Sequence, residues 1–390
     1  MAGATTSALP PLARPRADWR LLFRALGAAS DPRALILAAL GAGALLAGWT
    51  GLALVFGAAP WTSFADGHVV SARTGIVFTV EGAGDLLLAI AAPVLSLLAP
   101  FAALFRPDVS LLFRLHAGLA SLWGLIVWSL FGGAIARLAA VRIARSGRIG
   151  VLGALQFSFA RFGTSIAAPL APLGVAFGLG LLGAAVGLLN RIPGSIGQSA
   201  AVFLAVVPLA VGLLDAVILL GLALAWPLMA ATVAVDGEDF FDVVSRSYSY
   251  VNQRAARYAG LLAGAFAIGA IGLIAFSFFF GSALSLADWS IGLGAPRGVG
   301  FRFGRDQMPE TQALPVLVPA FLWHGLLEMI ATGWTFAYFW SASTVIYLIL
   351  RQDVDGAELH DIHQLADEAE GLVPAGPTEE SPLNEGSSGP

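Results

Sequence analysis

Residues Phe203–Val235 read FLAVVPLAVGLLDAVILLGLALAWPLMAATVAV, and Asp215 is the only charge among them. A helix needs about 20 apolar residues to cross the ~30 Å hydrocarbon core of a bilayer. This stretch reads as a span with length to spare, ~50 Å as one helix, and Pro208 and Pro227 are its natural bend points. Five more runs share its character: Ala34–Gly57, Ala117–Ile135, Ser165–Leu189, Ala259–Leu284 and Leu317–Leu350. A seventh, Leu86–Phe105, is interrupted by Pro93 and Pro100, and reads either as a span or as a bent, re-entrant element.

The whole chain agrees with that stretch. Of 390 residues, 57% are hydrophobic and 12% charged, about half the charge of a soluble domain; mean hydropathy is +0.81. This composition excludes an ordinary soluble enzyme, a disordered chain and a nucleic-acid-binding protein. Without cysteine there is no disulfide, thiolate nucleophile or cysteine metal site. The expected fold is an all-α polytopic transmembrane helix bundle of about six spans, with interfacial amphipathic helices and one candidate re-entrant segment.

Arginine, the only basic residue type besides histidine, orients the bundle, because cytoplasmic flanks collect positive charge. With the N-terminus inside and Leu86–Phe105 not crossing, 14 arginines fall inside and 7 outside; if that segment crosses, the split is 11 against 10. The reading is six spans in a cell membrane (a bacterial inner membrane), with both termini cytoplasmic. It divides the chain into an N-terminal segment, 1–33, a transmembrane domain, 34–351, and an acidic tail, 352–390. The tail reads as disordered, and it either solubilises the chain end or folds back onto basic interfacial helices. Outer loops are expected at 58–85, with a short β-hairpin around Trp61–Glu81, and at 285–316, rich in glycine. The first apolar run is too long for a cleaved signal and reads as a retained span. Ahead of it, Trp19, Leu22, Phe23 and Leu26 make a helical stripe that lies in the interface or packs beneath the bundle.

The centre of the chain carries two amphipathic segments. Leu152, Leu155, Phe159 and Phe162 are spaced 3, 4, 3, and Phe241, Val244, Tyr248 and Val251 repeat that spacing 89 residues later, with Ser158 over Ser247. Both are expected on the cytoplasmic surface, where Arg161, Arg246, Arg254 and Arg257 would be interfacial basic residues facing lipid headgroups. Ser245-Arg246-Ser247-Tyr248, followed by Arg254-Ala255-Ala256-Arg257-Tyr258 and a Gly/Ala-rich span, resembles the interfacial helix of a loose group of bacterial membrane domains. That group includes the non-catalytic membrane domain attached to some glycerophosphodiester phosphodiesterases. The resemblance covers roughly Trp226–Gly281 and implies a helical membrane module without activity.

Charges inside spans cost at least ~2.5–3.5 kcal/mol each, so each needs a partner or a purpose. Asp215, His324 and Glu328 are the three here, and His324 and Glu328, four apart, share a helix face. Asp215 and Glu328 fall at similar depth; if their helices adjoin, the three groups form a proton or cation site. Otherwise His324 and Glu328 bond each other, and Asp215 accepts from a serine, tryptophan or backbone donor. Gly174/Gly178 and Gly183/Gly187 make small-residue stripes expected to pack helices closely. Trp49, Trp61, Trp289 and Trp323 are expected at the outer interface. His324-Gly325-Leu326-Leu327-Glu328 lacks the second histidine of a metalloprotease helix, and the glycines of 285–316 lack a phosphate cradle's spacing. No catalytic residue, metal or cofactor is therefore assigned. The expected role is a non-enzymatic component that organises or supports a membrane assembly, its partners being the bilayer and other membrane proteins or further copies of itself. The alternative is a small-solute or proton-coupled permease using Asp215, His324 and Glu328.

Overall fold

The computed structural model describes residues 18–58, 83–106, 109–294 and 314–363. Every regular element among them is helical. A 3-10 turn, Trp19–Leu22, leads into α1 (Phe23–Ala29), α2 (Pro32–Phe56), α3 (Ala83–Ala103), α4 (Leu111–Arg145), α5 (Val151–Ala160), α6 (Phe162–Leu188), α7 (Ser195–Phe203), α8 (Val206–Asp236), α9 (Phe240–Gln253), α10 (Ala255–Gly294) and α11 (Leu314–Asp355). Six stretches are long and apolar enough to cross a membrane: Pro32–Phe56, Leu111–Arg145, Phe162–Arg191, Val206–Asp236, Ala255–Gly294 and Met329–Asp355. These are the six expected spans.

Local signals set the ends of these helices. Asp31 caps α2 by accepting from the Arg33 amide at 3.0 Å, and Pro32 occupies the first turn, where its missing N–H costs nothing. Gly57 and Gly237 close α2 and α8 in the left-handed region, at φ 58° and 63°, which glycine reaches without strain.

The spans alternate in direction. Trp49 donates to the Ala120 carbonyl and Trp123 to the Ala44 carbonyl, so α2 and α4 run antiparallel. The starts of α2 and α10 and the ends of α4, α8 and α11 meet at one end of the bundle, joined by Arg142–Asp31, Arg351–Asp236 and Arg257–Asp353 ion pairs. We call this the charged end and its opposite the far end.

The segment containing α3 begins and returns at the far end. Phe56, the last residue of α2, stacks on His116 near the start of α4, with centroids 5.3 Å apart. Beyond α3, Leu104 lies against Gly118, and Leu97 within α3 lies against Gly124. The chain thus leaves α2 and enters α4 on the same side, and α3 does not reverse the helices that follow.

α11 is the central helix. Trp334, Phe336, Ala337, Tyr338, Trp340 and Val345–Leu350 are all buried. Around them Trp128 stacks on Phe336 at 4.3 Å, and Trp226 meets Trp340 edge-on at 5.5 Å. Small residues let the neighbouring helices approach this aromatic column: Gly132 faces Trp340, Gly269 faces Tyr338, and Gly272 faces Leu26 and Trp334.

Several expectations change at the side-chain level. Trp49 is buried, with its indole committed to Ala120, so it does not sit at an interface; Trp289 and Trp323 are exposed. The stretch expected as a loop from 285 onward stays helical through Gly294, and helix resumes at Leu314, because Leu286, Trp289 and Leu293 extend the apolar run before any breaker. In the N-terminal stripe, Leu22 is buried beside Gly264, and Leu26 meets Gly272, while Trp19 and Phe23 stay exposed; the helix both packs and faces outward. The expected hairpin at Trp61–Glu81 lies outside the described residues, as do 364–390 of the acidic tail and Trp61.

Candidate functional site

The polar groups of the described chain concentrate at the charged end. Asp236, in the last turn of α8, has a side chain only 4% exposed. Its carboxylate receives Arg246 of α9 at 3.1 Å and the Tyr347 hydroxyl of α11, and Arg351 Nε lies 3.1 Å away. Arg246 also pairs with Glu238 at 3.1 Å. Burial works against the charge of Arg246, but the surrounding carboxylates, Asp236 foremost, raise its pKa overall. Beside it, Tyr250 donates to Asp355, and Arg257 pairs with Asp353. Burial first, and then Asp355, push the Tyr250 phenol well above its ordinary value.

A second group of arginines clamps the chain after α11. Arg137 is fully buried in α4, with its guanidinium 4.1 Å from the centre of the Phe157 ring. It donates to the Ala234 carbonyl at 2.8 Å and to the His363 carbonyl at 2.6 Å. Arg145 reaches the carbonyls of His360 and Ile362, and Arg351 reaches that of Asp361 at 2.7 Å. Four consecutive carbonyls, His360 to His363, are thus held by three arginines. In return the His363 amide donates to the Val235 carbonyl at 2.7 Å. The last carbonyls of a helix have no partner within it; Arg137 and this strap satisfy two of those on α8.

The tail expected to begin at Gln352 is therefore helix to Asp355 and packed strap to His363, with Ile362 buried. This part folds back onto the bundle, but its carbonyls are held by Arg137 and Arg145 of α4 and Arg351 of α11 rather than by the interfacial helices expected to receive it. His363 also contacts Arg161, Nε2 to Nη2 at 3.1 Å. Of the four interfacial arginines expected to face lipid, Arg161, Arg246 and Arg257 all have partners within the chain, and Arg254 is exposed.

The two amphipathic helices are anchored through their matched serines. Ser158 donates to the Ser129 and Leu130 carbonyls of α4, and Ser247 meets Thr232 of α8 at 3.3 Å. At the same offset of 89, Ala154 and Val243 are both buried. Leu152, Phe159 and Phe241, from the apolar stripes, are exposed instead. The buried seam of each helix is thus narrower and more polar than its pattern of large residues suggests.

Asp215 lies in the far half of α8, ~13 Å along the axis from Val206. One carboxylate oxygen, Oδ1, is buried without a hydrogen-bond partner among the described residues. His324 and Glu328 belong to α11, and their side chains lie outside the described residues. Named side-chain contacts between α8 and α11 occur lower down, at Trp226–Trp340, Asp236–Tyr347 and Asp236–Arg351.

Around Asp215 the α6–α8 pair is open. Gly183 of α6 packs on Pro208 of α8, so the helices run antiparallel and in contact. Yet Val175, Phe177, Leu181, Val206, Leu209, Leu213, Val217 and Leu220 are exposed. Gly174, Gly178, Gly187 and Gly212 meet nothing among the described residues, so of the two expected packing stripes Gly183 alone packs against them. No group of three or more candidate metal ligands occurs among the described residues. Compared with protein-family models, curated proteins and solved structures, the chain has no match.

Proposed function

We propose that this protein is a non-enzymatic, multi-pass component of a membrane assembly, with its charged end in the cytoplasm. The observation that carries the reading is the open far half of the α6–α8 pair, an apolar wall with bare glycines and one intramembrane carboxylate. The filled centre supports it too: Trp128, Phe336 and Trp340 occupy the middle of the bundle, where a solute path would run. Twelve arginines of the described residues lie toward the charged end and three toward the far end, Arg106, Arg114 and Arg191; this asymmetry supports the orientation. The resemblance of Ser245–Tyr258 to a non-catalytic membrane module points the same way.

The permease reading keeps one observation in its favour, the unpartnered oxygen of Asp215. Reconstitution into proteoliposomes under an imposed pH gradient separates the two. An assembly component carries no proton current above empty vesicles and migrates from native membranes above the mass of one chain. A proton current abolished by Asp215→Asn or Glu328→Gln would establish the permease instead.

A further inference from the structure

We propose that the far half of the α6–α8 pair is the docking face for a partner transmembrane helix carrying a cationic side chain at mid-depth, with Asp215 as its counter-charge. This rests on the assembly reading and names the chemistry of the partner.

The argument starts from charge. Helix α6 contains no charged residue, and Asp215 is the only one in α8 before Asp236. Neither helix can neutralise the carboxylate, and its Oδ1 has no donor among the described residues. In hydrocarbon no water replaces the missing partner, so a carboxylate at this depth calls for a cation or a strong donor. Shape adds a second reason. Gly212 sits one turn from Asp215 on the same side of α8, and Gly174 and Gly178 of α6 are equally bare. Glycines that pack against nothing among the described residues leave room for a foreign helix backbone beside the acid. The exposed Leu209, Leu213, Val217, Phe177 and Leu181 supply the apolar flanks. An arginine suits this place, since its guanidinium keeps its charge in an apolar setting and offers several N–H donors to the accessible side of the carboxylate.

The test uses the full chain in lipid bilayers. The protein has no native cysteine, so Ser195→Cys at the exposed tip of the pair takes a single donor fluorophore. Acceptor-labelled poly-leucine helices carry either one central arginine or leucine throughout. The arginine helix should reach half-maximal energy transfer at a mole fraction at least tenfold lower than the all-leucine helix. Asp215→Asn should erase most of that difference, and Asp215→Glu should retain it. Equal association of the two helices overturns the proposal, as does a preference that survives Asp215→Asn. Energy transfer between copies of the protein, strong enough to exclude both helices, would show that a second copy covers this face and would also overturn it. Such failures leave the assembly reading standing, because the mass in native membranes and the proton-current measurement do not depend on what this face binds.

Discussion

Arg351 and Asp236 join the last turns of α11 and α8, with Nε 3.1 Å from Oδ1 and side chains 10% and 4% exposed. Asp236 also serves Arg246 and Tyr347, so one carboxylate ties together α8, α9 and α11. Removing one member of a buried pair leaves the other charge uncompensated and costs about 3–5 kcal/mol. Asp236→Asn should lower the unfolding midpoint in detergent far more than Glu238→Gln, whose carboxylate is 35% exposed. Equal loss in the two variants would show that Asp236 is not the hub.

Arg137 holds the strap and caps α8 with the same guanidinium. Arg137→Met keeps bulk over Phe157 but removes both hydrogen bonds. The strap should open: amide exchange at residues 360–363 is expected to speed up at least tenfold, while exchange in the middle of α11 stays slow. Unchanged exchange at the His363 amide would mean that the strap holds without the arginine.

The glycines fall into two groups that substitution can separate. A Cβ on Gly132 would lie 2.5 Å from the Trp340 indole, a rigid neighbour already packed against Trp128 and Trp226. Gly132→Ala should therefore destabilise by about 1–3 kcal/mol, the usual cost of overpacking. Gly178→Ala meets open space in the isolated chain. Its stability in detergent should be unchanged or slightly raised, since alanine is the better helix former.

Alkaline pH gives a directional test. The Tyr250 phenol is raised by burial and by Asp355, and that of Tyr248 by burial. A tyrosine raised in the folded state gives up its proton more readily when unfolded. Its contribution is complete below the unfolded value near 10 and is lost as pH climbs toward the folded one. Thermal stability should be level from about pH 7 to 9 and decline above about 10. Tyr250→Phe should be less stable at neutral pH and show a shallower alkaline decline; an unchanged slope would remove Tyr250 from the cause.

The helix end at Asp239 offers a milder comparison. Its side chain accepts from the Phe241 and Asp242 amides, at 3.0 and 3.1 Å, and starts α9. Asp239→Ala should cost about 1 kcal/mol, as lost caps generally do. A thermal shift much smaller than that of Asp236→Asn would separate capping from ion pairing.

What could be read from the sequence follows from the length of its apolar runs. All six spans were legible, because about 20 apolar residues in a row have few other places to fold. The matched serines were legible too, since their 89-residue offset survives in two helices whose other residues differ. Asp236, Tyr347, Arg351 and Arg137 went unnoticed as a group. A signal existed in the opposite charges closing α8 and α11, but partners 115 residues apart meet only through the packing of whole helices.

Sequence alone thus determined a bundle of oily helices, because burying a backbone in lipid demands internal hydrogen bonds and continuous apolar side chains. Tertiary structure decided which helix is central, that Trp49 turns inward, and that the arginines hold a strap. It also decided that the chain enters α4 on the side where it leaves α2. Those outcomes depend on which faces of neighbouring helices meet, and a one-dimensional pattern of polarity carries no record of the neighbour.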